Sequence, residues 1–111
     1  MANGLTKPVY HFDTLRLRAG YEPNAHQYAV SPPIYQTASF DFRDVEHAKA
    51  LFSLGEIGNI YTRVGSPTVT ALEQRVAALD GASGAIALAS GMAAISYTLL
   101  NIAEGGGRIL A

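Results

Sequence analysis

Cysteine is absent from the 111 residues, which excludes disulfides, thiolate zinc sites and a cysteine nucleophile together. Long apolar runs are missing too, so no segment reaches the roughly 20 residues that span a bilayer. The opening "MANGLTKPVYHFD" has no apolar centre of the kind a secretory leader carries. No membrane partner and a cytoplasmic location are therefore expected. Neither sign of charge is in excess: eight Lys+Arg stand against nine Asp+Glu, for a net charge of −1. Without a basic block to follow a phosphate backbone, no nucleic-acid partner is expected. His11, His26 and His47 lack ligand spacing, so no metal site is expected either. What remains is 49% hydrophobic and 15% charged, enough apolar surface for a core. The length allows one domain at most, or less than one.

Residues 1–43 hold four of the five prolines and no sustained helical period. The stretch "SPPIYQTASFDF" alternates weakly, as a strand or an extended arm would. Asp44 is placed to cap a short helix over "VEHAKALFSL", with Val45, Ala48, Leu51 and Phe52 on one face and Gly55 ending it. From "NIYTRV" the polarity alternates again, which in an extended segment puts Tyr61 and Arg63 on one face. Ser66 and Pro67 then start a second helix, the serine oxygen taking an orphan N–H and the proline ring suiting the first turn. Val69, Leu72, Val76 and Leu79 follow at helical spacing, and Gly81 stands where a left-handed stop is wanted. "GAIALAS" has strand length, although its alanines also suit a buried helix. "SGMAAISYTLLNIAEGGG" predicts a helix with Met92, Ile95, Leu99 and Ile102 on one side, and "RILA" the start of another strand. Strand, helix and strand in that order fit a right-handed crossover between parallel strands, so the expected class is α/β. A lone two-strand unit leaves unpaired edges, so the residues are expected to be the N-terminal piece of something longer.

Two local arrangements could carry chemistry. At "ASGMAA", Ser90 at the cap and Gly91 behind it leave backbone N–H groups pointing outward at the positive end of a helix, where a phosphate fits. The plainer alternative is that Ser90 caps its own helix and Gly91 only tightens the turn. Ser90 as a nucleophile lacks the flanking glycines of the nucleophile elbow. The second arrangement is the Tyr61–Arg63 pair. A guanidinium fork binds phosphate bidentately, and a phenolic hydroxyl two residues away can donate to the same oxygens. Its alternative is an Arg63 paired with a surface carboxylate above a Tyr61 that merely packs its ring. Gly105–Gly107 lack the Lys-Ser/Thr of a P-loop and predict a helix stop and turn.

Taken in order, "FDTLRLRAGYEPN", "PPIYQTASFDF" and "GNIYTRVGSPTVTALEQRVAALDGASGAIALASGMAAISYTLLNIA" resemble the N-terminal part of the Cys/Met-metabolism pyridoxal-phosphate enzymes. The "FDTL…AG" opening and the "GNIYTR" approach look most like the O-acetylhomoserine sulfhydrylase branch. The resemblance runs from about Phe12 onward, and its specificity lies in several motifs keeping their order. It departs from the family at Ser66, where Asn is usual, and at Gly106–Gly107, where relatives often show Gly-Asp.

The resemblance implies an N-terminal arm with a short helix over 1–60, in subunit contacts. It implies that 61–111 begin the large parallel-sheet domain of a fold-type I, aspartate aminotransferase-like enzyme. It implies pyridoxal 5'-phosphate as cofactor, with Tyr61 and Arg63 reaching its phosphate across a subunit interface and Gly91 and Met92 offering N–H groups within their own protomer. A homo-oligomer, dimer or tetramer, with shared sites follows. The implied reaction makes homocysteine from O-acetylhomoserine and sulfide by γ-replacement. Sister activities are the alternatives: cystathionine γ-synthase, cystathionine γ-lyase or methionine γ-lyase. The family's Schiff-base lysine would lie beyond Ala111, since Lys7 is in the arm and Lys49 on the polar side of a short helix. No catalytic residue is therefore expected among these residues, and the 111 residues alone are expected to be inactive. A reading from another class, a non-catalytic assembly fragment, stays open beside this one.

Overall fold

Four helices and one 3-10 turn organise residues 10–108 and 110, which the computed structural model describes. The first helix, α1 (Phe12–Arg18), lies inside the arm, where the sequence showed no helical period. Two turns are too few to display one, and helices this short hold mainly through tertiary contact. Here the contact is α3 (Pro67–Asp80), across which α1 packs. Asp13 in the first turn and Arg16 and Arg18 in the last also suit the helix dipole. Gly20, at φ +73°, then turns the chain against α3 so closely that a Cβ would lie 2.6 Å from the Arg75 nitrogen. The Arg75 side chain closes this joint by donating from Nε to the Ala19 carbonyl at 2.8 Å. The 3-10 turn (Pro23–His26) follows, its His26 ring stacked on Tyr21 at 5.2 Å and bonded through Nδ1 to the Tyr35 hydroxyl at 2.8 Å.

Asp44 caps α2 (Val45–Phe52) as its position predicts, accepting the His47 N–H at 2.7 Å. The expected stop at Gly55 is corrected by two residues. The helix ends at Phe52 in a Schellman-type closure, Gly55 N–H donating to the Ala50 carbonyl at 2.8 Å and Leu54 N–H to Leu51 at 3.2 Å. Leu54, not glycine, occupies the left-handed position, at φ +58°. Of the predicted apolar face only Leu51 is fully buried, at 2% exposure, with the Gly58 backbone packed on it.

At α3 the stop is the expected one, Gly81 at φ +64°. The start differs: Ser66 is buried but makes no side-chain cap bond, and only its carbonyl serves the helix, accepting from Thr70 N–H at 2.8 Å. The buried residues of α3 are Ala71 and Ala77, while Val69, Leu72 and Val76 are exposed, and the Gly20 turn lies against the helix backbone at Ala71 and Arg75. α4 (Gly91–Ile102) spans much of the predicted helix, and Gly106 at φ +82° makes the expected turn beyond it. Met92, Ile95, Leu99 and Ile102 lie exposed along it.

The parallel sheet is not present among the described residues. Residues 84–90 form no strand pairing, and the middle of the segment is tied to α3 by the Ala87 N–H donated to the Glu73 carboxylate at 2.8 Å. The predicted "RILA" strand falls partly outside the described residues, since 109 and 111 are not among them. A strand exists only with a neighbour to accept its ladder bonds, and among the described residues the one β-bridge joins Ser39 to Tyr61, antiparallel. Area gives the same message. The chain exposes 9680 Å², whereas a compact monomer of this mass would expose about 5,900 Å². The radius of gyration, 17.5 Å, likewise exceeds the roughly 13 Å of a compact domain of this length.

Candidate anion-binding site

Tyr61 sits where the arm meets the rest of the chain. On either side of its bridge to Ser39, Phe40 N–H donates to the Ile60 carbonyl at 3.1 Å and Thr62 N–H to Ala38 at 2.9 Å. The expected extension through Val64 does not occur. The Tyr61 carbonyl instead accepts from both Val64 N–H, at 2.8 Å, and Gly65 N–H, at 3.1 Å, which folds 62–64 into a turn. Tyr61 and Arg63 still meet, by a different route from the alternation predicted. The turn lays the guanidinium carbon 5.1 Å from the centre of the Tyr61 ring, a cation–π contact worth about 0.5–1 kcal/mol at an exposed site. Among the described residues Arg63 has no carboxylate partner, so the surface ion pair weighed as its alternative is not formed there. The pair opens on a groove whose other wall is Tyr35, Gln36, Thr37 and Ala38.

Gly91 and Met92 open α4. Ser90 does cap its own helix: its hydroxyl accepts the Ala93 N–H at 3.1 Å and its carbonyl accepts the Ala94 N–H at 3.1 Å. That leaves the N–H groups of Gly91 and Met92 without an acceptor among the described residues. A Cβ on Gly91 would meet nothing within 4 Å, so the approach to these two groups is open. Three turns of helix stand behind them to supply the positive end of a dipole. The two arrangements are not brought together in one chain's groove, since the Tyr61–Arg63 groove is not lined by Gly91 or Met92.

The donor set suits a phosphate. At one place stand a permanent cation and a phenolic hydroxyl, and at the other two main-chain N–H groups with no side chain in the way, each a kind of donor that phosphate oxygens accept from. No group of three metal-ligating side chains occurs among the described residues. No described helix is long and apolar enough to cross a membrane.

Sequence reasoning missed the groove's scaffolding: Tyr35 and Thr62, which line it, and Thr68, which fastens Tyr35. Its only signal was a pair of threonines at a turn and a helix start, positions where a hydroxyl usually serves its own backbone.

Comparison with known proteins follows the motifs. The family described as Cys/Met metabolism PLP-dependent enzyme matches residues 13–111. O-acetyl-L-homoserine sulfhydrylase of Leptospira meyeri is 48% identical over 99 residues, 89% of this chain and 22% of that protein. L-methionine gamma-lyase of Pseudomonas putida is 42% identical over 99 residues, 89% of this chain and 25% of that protein. The crystal structure of a Campylobacter jejuni protein described as an O-acetylhomoserine (thiol)-lyase, carrying a pyridoxyl-lysine monophosphate adduct, superposes with a TM-score of 0.79. It is 41% identical over 84% of this chain and 23% of that one. The chain thus spans about a quarter of the length of the relatives it matches.

Proposed function

The chain belongs to the Cys/Met-metabolism PLP-dependent enzyme family, and on that premise we propose that it serves an enzyme making homocysteine from O-acetylhomoserine and sulfide. Its own task is to hold the cofactor phosphate. The observation that carries this reading is Arg63, laid over the Tyr61 ring at the mouth of an open groove with no carboxylate partner among the described residues. A cation so placed is oriented before its ligand arrives, and less side-chain freedom is lost on binding.

In this reading Arg63 and Tyr61 grip the phosphate from one protomer, and the Gly91 and Met92 N–H groups grip it from the next. What the bound pyridoxal 5'-phosphate supplies is an electron sink for carbanion chemistry on an amino-acid substrate. The residues of this chain orient the group and neutralise its phosphate charge, and the dipole of α4 adds to that neutralisation. Residues 1–60 act as the arm in subunit contacts, and 61–111 begin the PLP-binding domain of a fold-type I enzyme. The protein is a cytoplasmic homo-oligomer, dimer or tetramer, and the area exposed beyond a compact monomer's supports burial by further chain in such an assembly.

The test is Arg63→Ala in the intact native protein, stripped of cofactor and titrated with pyridoxal 5'-phosphate. Charge-assisted hydrogen bonds contribute about 1.5–3 kcal/mol each, so affinity should fall roughly ten- to a hundredfold. Unchanged affinity refutes the reading. The likeness to the Pseudomonas putida gamma-lyase favours a second reading, a γ-elimination within the same family. Homocysteine formed from O-acetylhomoserine and sulfide supports the first; turnover of methionine or cystathionine without it supports the second.

A further inference from the structure

The wall of the groove opposite Arg63 is a stretch of arm fastened at both ends by threonine hydroxyls that lie outside the arm. Thr68, in the first turn of α3, donates from Oγ1 to the Pro33 carbonyl at 3.0 Å and accepts the Tyr35 N–H at 2.9 Å. One hydroxyl thereby spends its donor and an acceptor on a segment more than thirty positions away in sequence. At the other end the single O–H of Thr62 is shared between the Thr37 carbonyl and that of Ala38, the latter at 3.2 Å, while the Thr62 N–H also donates to the Ala38 carbonyl. The stretch so fastened, Tyr35 to Ala38, lines the groove together with Tyr61, Thr62 and Arg63.

The hydroxyl of Thr68 is spent outside the helix that carries it. The cap position of α3 belongs to Ser66, which is buried and forms no side-chain cap bond, and Thr68, two positions on, directs both of its hydroxyl bonds at residues 33 and 35. The segment it fixes carries Ser39, four positions beyond Tyr35, into the bridge with Tyr61. The turn that aims Arg63 begins at that bridge.

We propose that Thr68 is a positioning residue for the Tyr61–Arg63 phosphate grip: its hydroxyl sets the register of the groove wall on which the Tyr61 turn is laid. The inference rests on Arg63 as a phosphate ligand and is tested so that the two can fail separately. Thr68→Val keeps the shape and removes both bonds; Thr68→Ser keeps both. In the intact native protein, stripped of cofactor, each variant is titrated with pyridoxal 5'-phosphate and with pyridoxal, which lacks the phosphate. Two lost hydrogen bonds should weaken pyridoxal 5'-phosphate binding roughly five- to twentyfold in Thr68→Val. Pyridoxal binding should hold, and Thr68→Ser should stay close to the parent. Equal loss for both ligands, or no loss for either, overturns the proposal. So does an Arg63→Ala variant that loses affinity beside a Thr68→Val that does not, an outcome that leaves the phosphate reading standing. If Thr68→Val does not fold, Thr62→Val releases the other end of the same wall, and the same selective loss is required of it.

Discussion

Replacing Gly20 by alanine tests how the arm is held. The new Cβ would lie 2.6 Å from the Arg75 nitrogen, 2.7 Å from the Ala71 carbonyl oxygen and 2.9 Å from the Gln74 Cβ. Two of these three atoms are helix backbone and cannot rotate away, so the arm must lift from α3. The φ of +73° adds a second cost, about 1–2 kcal/mol for a residue with a Cβ in the left-handed region. Lifting also stretches the 2.8 Å bond from Arg75 Nε to the Ala19 carbonyl, and a hydrogen bond from a charged donor contributes about 1.5–3 kcal/mol. Together Gly20→Ala should cost roughly 3–5 kcal/mol. Urea unfolding of the intact native protein measures the loss, and limited proteolysis shows whether residues 10–22 are released first. Gly65→Ala is the control, because Gly65 has no positive φ and nothing lies within 4 Å of its added Cβ. A Gly20→Ala variant within about 0.5 kcal/mol of the parent, the range of an ordinary surface change, would refute this account of the joint.

Leu54→Gly should raise stability by about 1–2 kcal/mol, because the left-handed closing position of α2 suits glycine and the leucine side chain it removes is 87% exposed. A lowered melting temperature would mean that the side chain is held by a contact outside these residues. Asp44→Ala should lower stability by about 1 kcal/mol by freeing the His47 N–H. Asp44→Ser should recover most of it in the same melt, and equal melts for all three would remove the cap as a contributor.

Elements whose cause is local were legible in the sequence. The Asp44 cap, the Gly81 stop and the helix over Met92, Ile95 and Leu99 each depend on a few adjacent residues, and each stands where expected. Elements whose cause is remote were not. α1 is too short to show a period, and the joint that follows it rests on the bare backbone of Gly20 against α3, which does not mark a helix in sequence. The strand at 84–90 was read from a pattern that needs neighbours, and no neighbour lies among these residues. At the candidate site the letters of the Tyr61–Arg63 pair were legible while their geometry was not, since alternation predicted a strand and the backbone makes a turn. Thr68 passed unnoticed because its partners, residues 33 and 35, are more than thirty positions away and come to it only in the folded chain.

The exposed face and the proposed grip bear on each other. Arg63 and Tyr61 line a groove with residues 35–38, and the Gly91 and Met92 N–H groups stand at the start of α4, outside that groove. Each half alone is a modest site: two N–H groups and a dipole end contribute little against water, and one exposed guanidinium little more. A phosphate held by both halves gains from each, and where the halves come from different protomers it gains only once they are joined. Linkage then makes the effect reciprocal: whatever factor assembly adds to phosphate affinity, bound phosphate must return to assembly. Apolar burial can close the interface, but it is non-directional and does not dictate which turn meets which helix start. A doubly charged ligand needing donors from both sides does dictate it, so in this arrangement the cofactor is a determinant of register between protomers as well as a reagent.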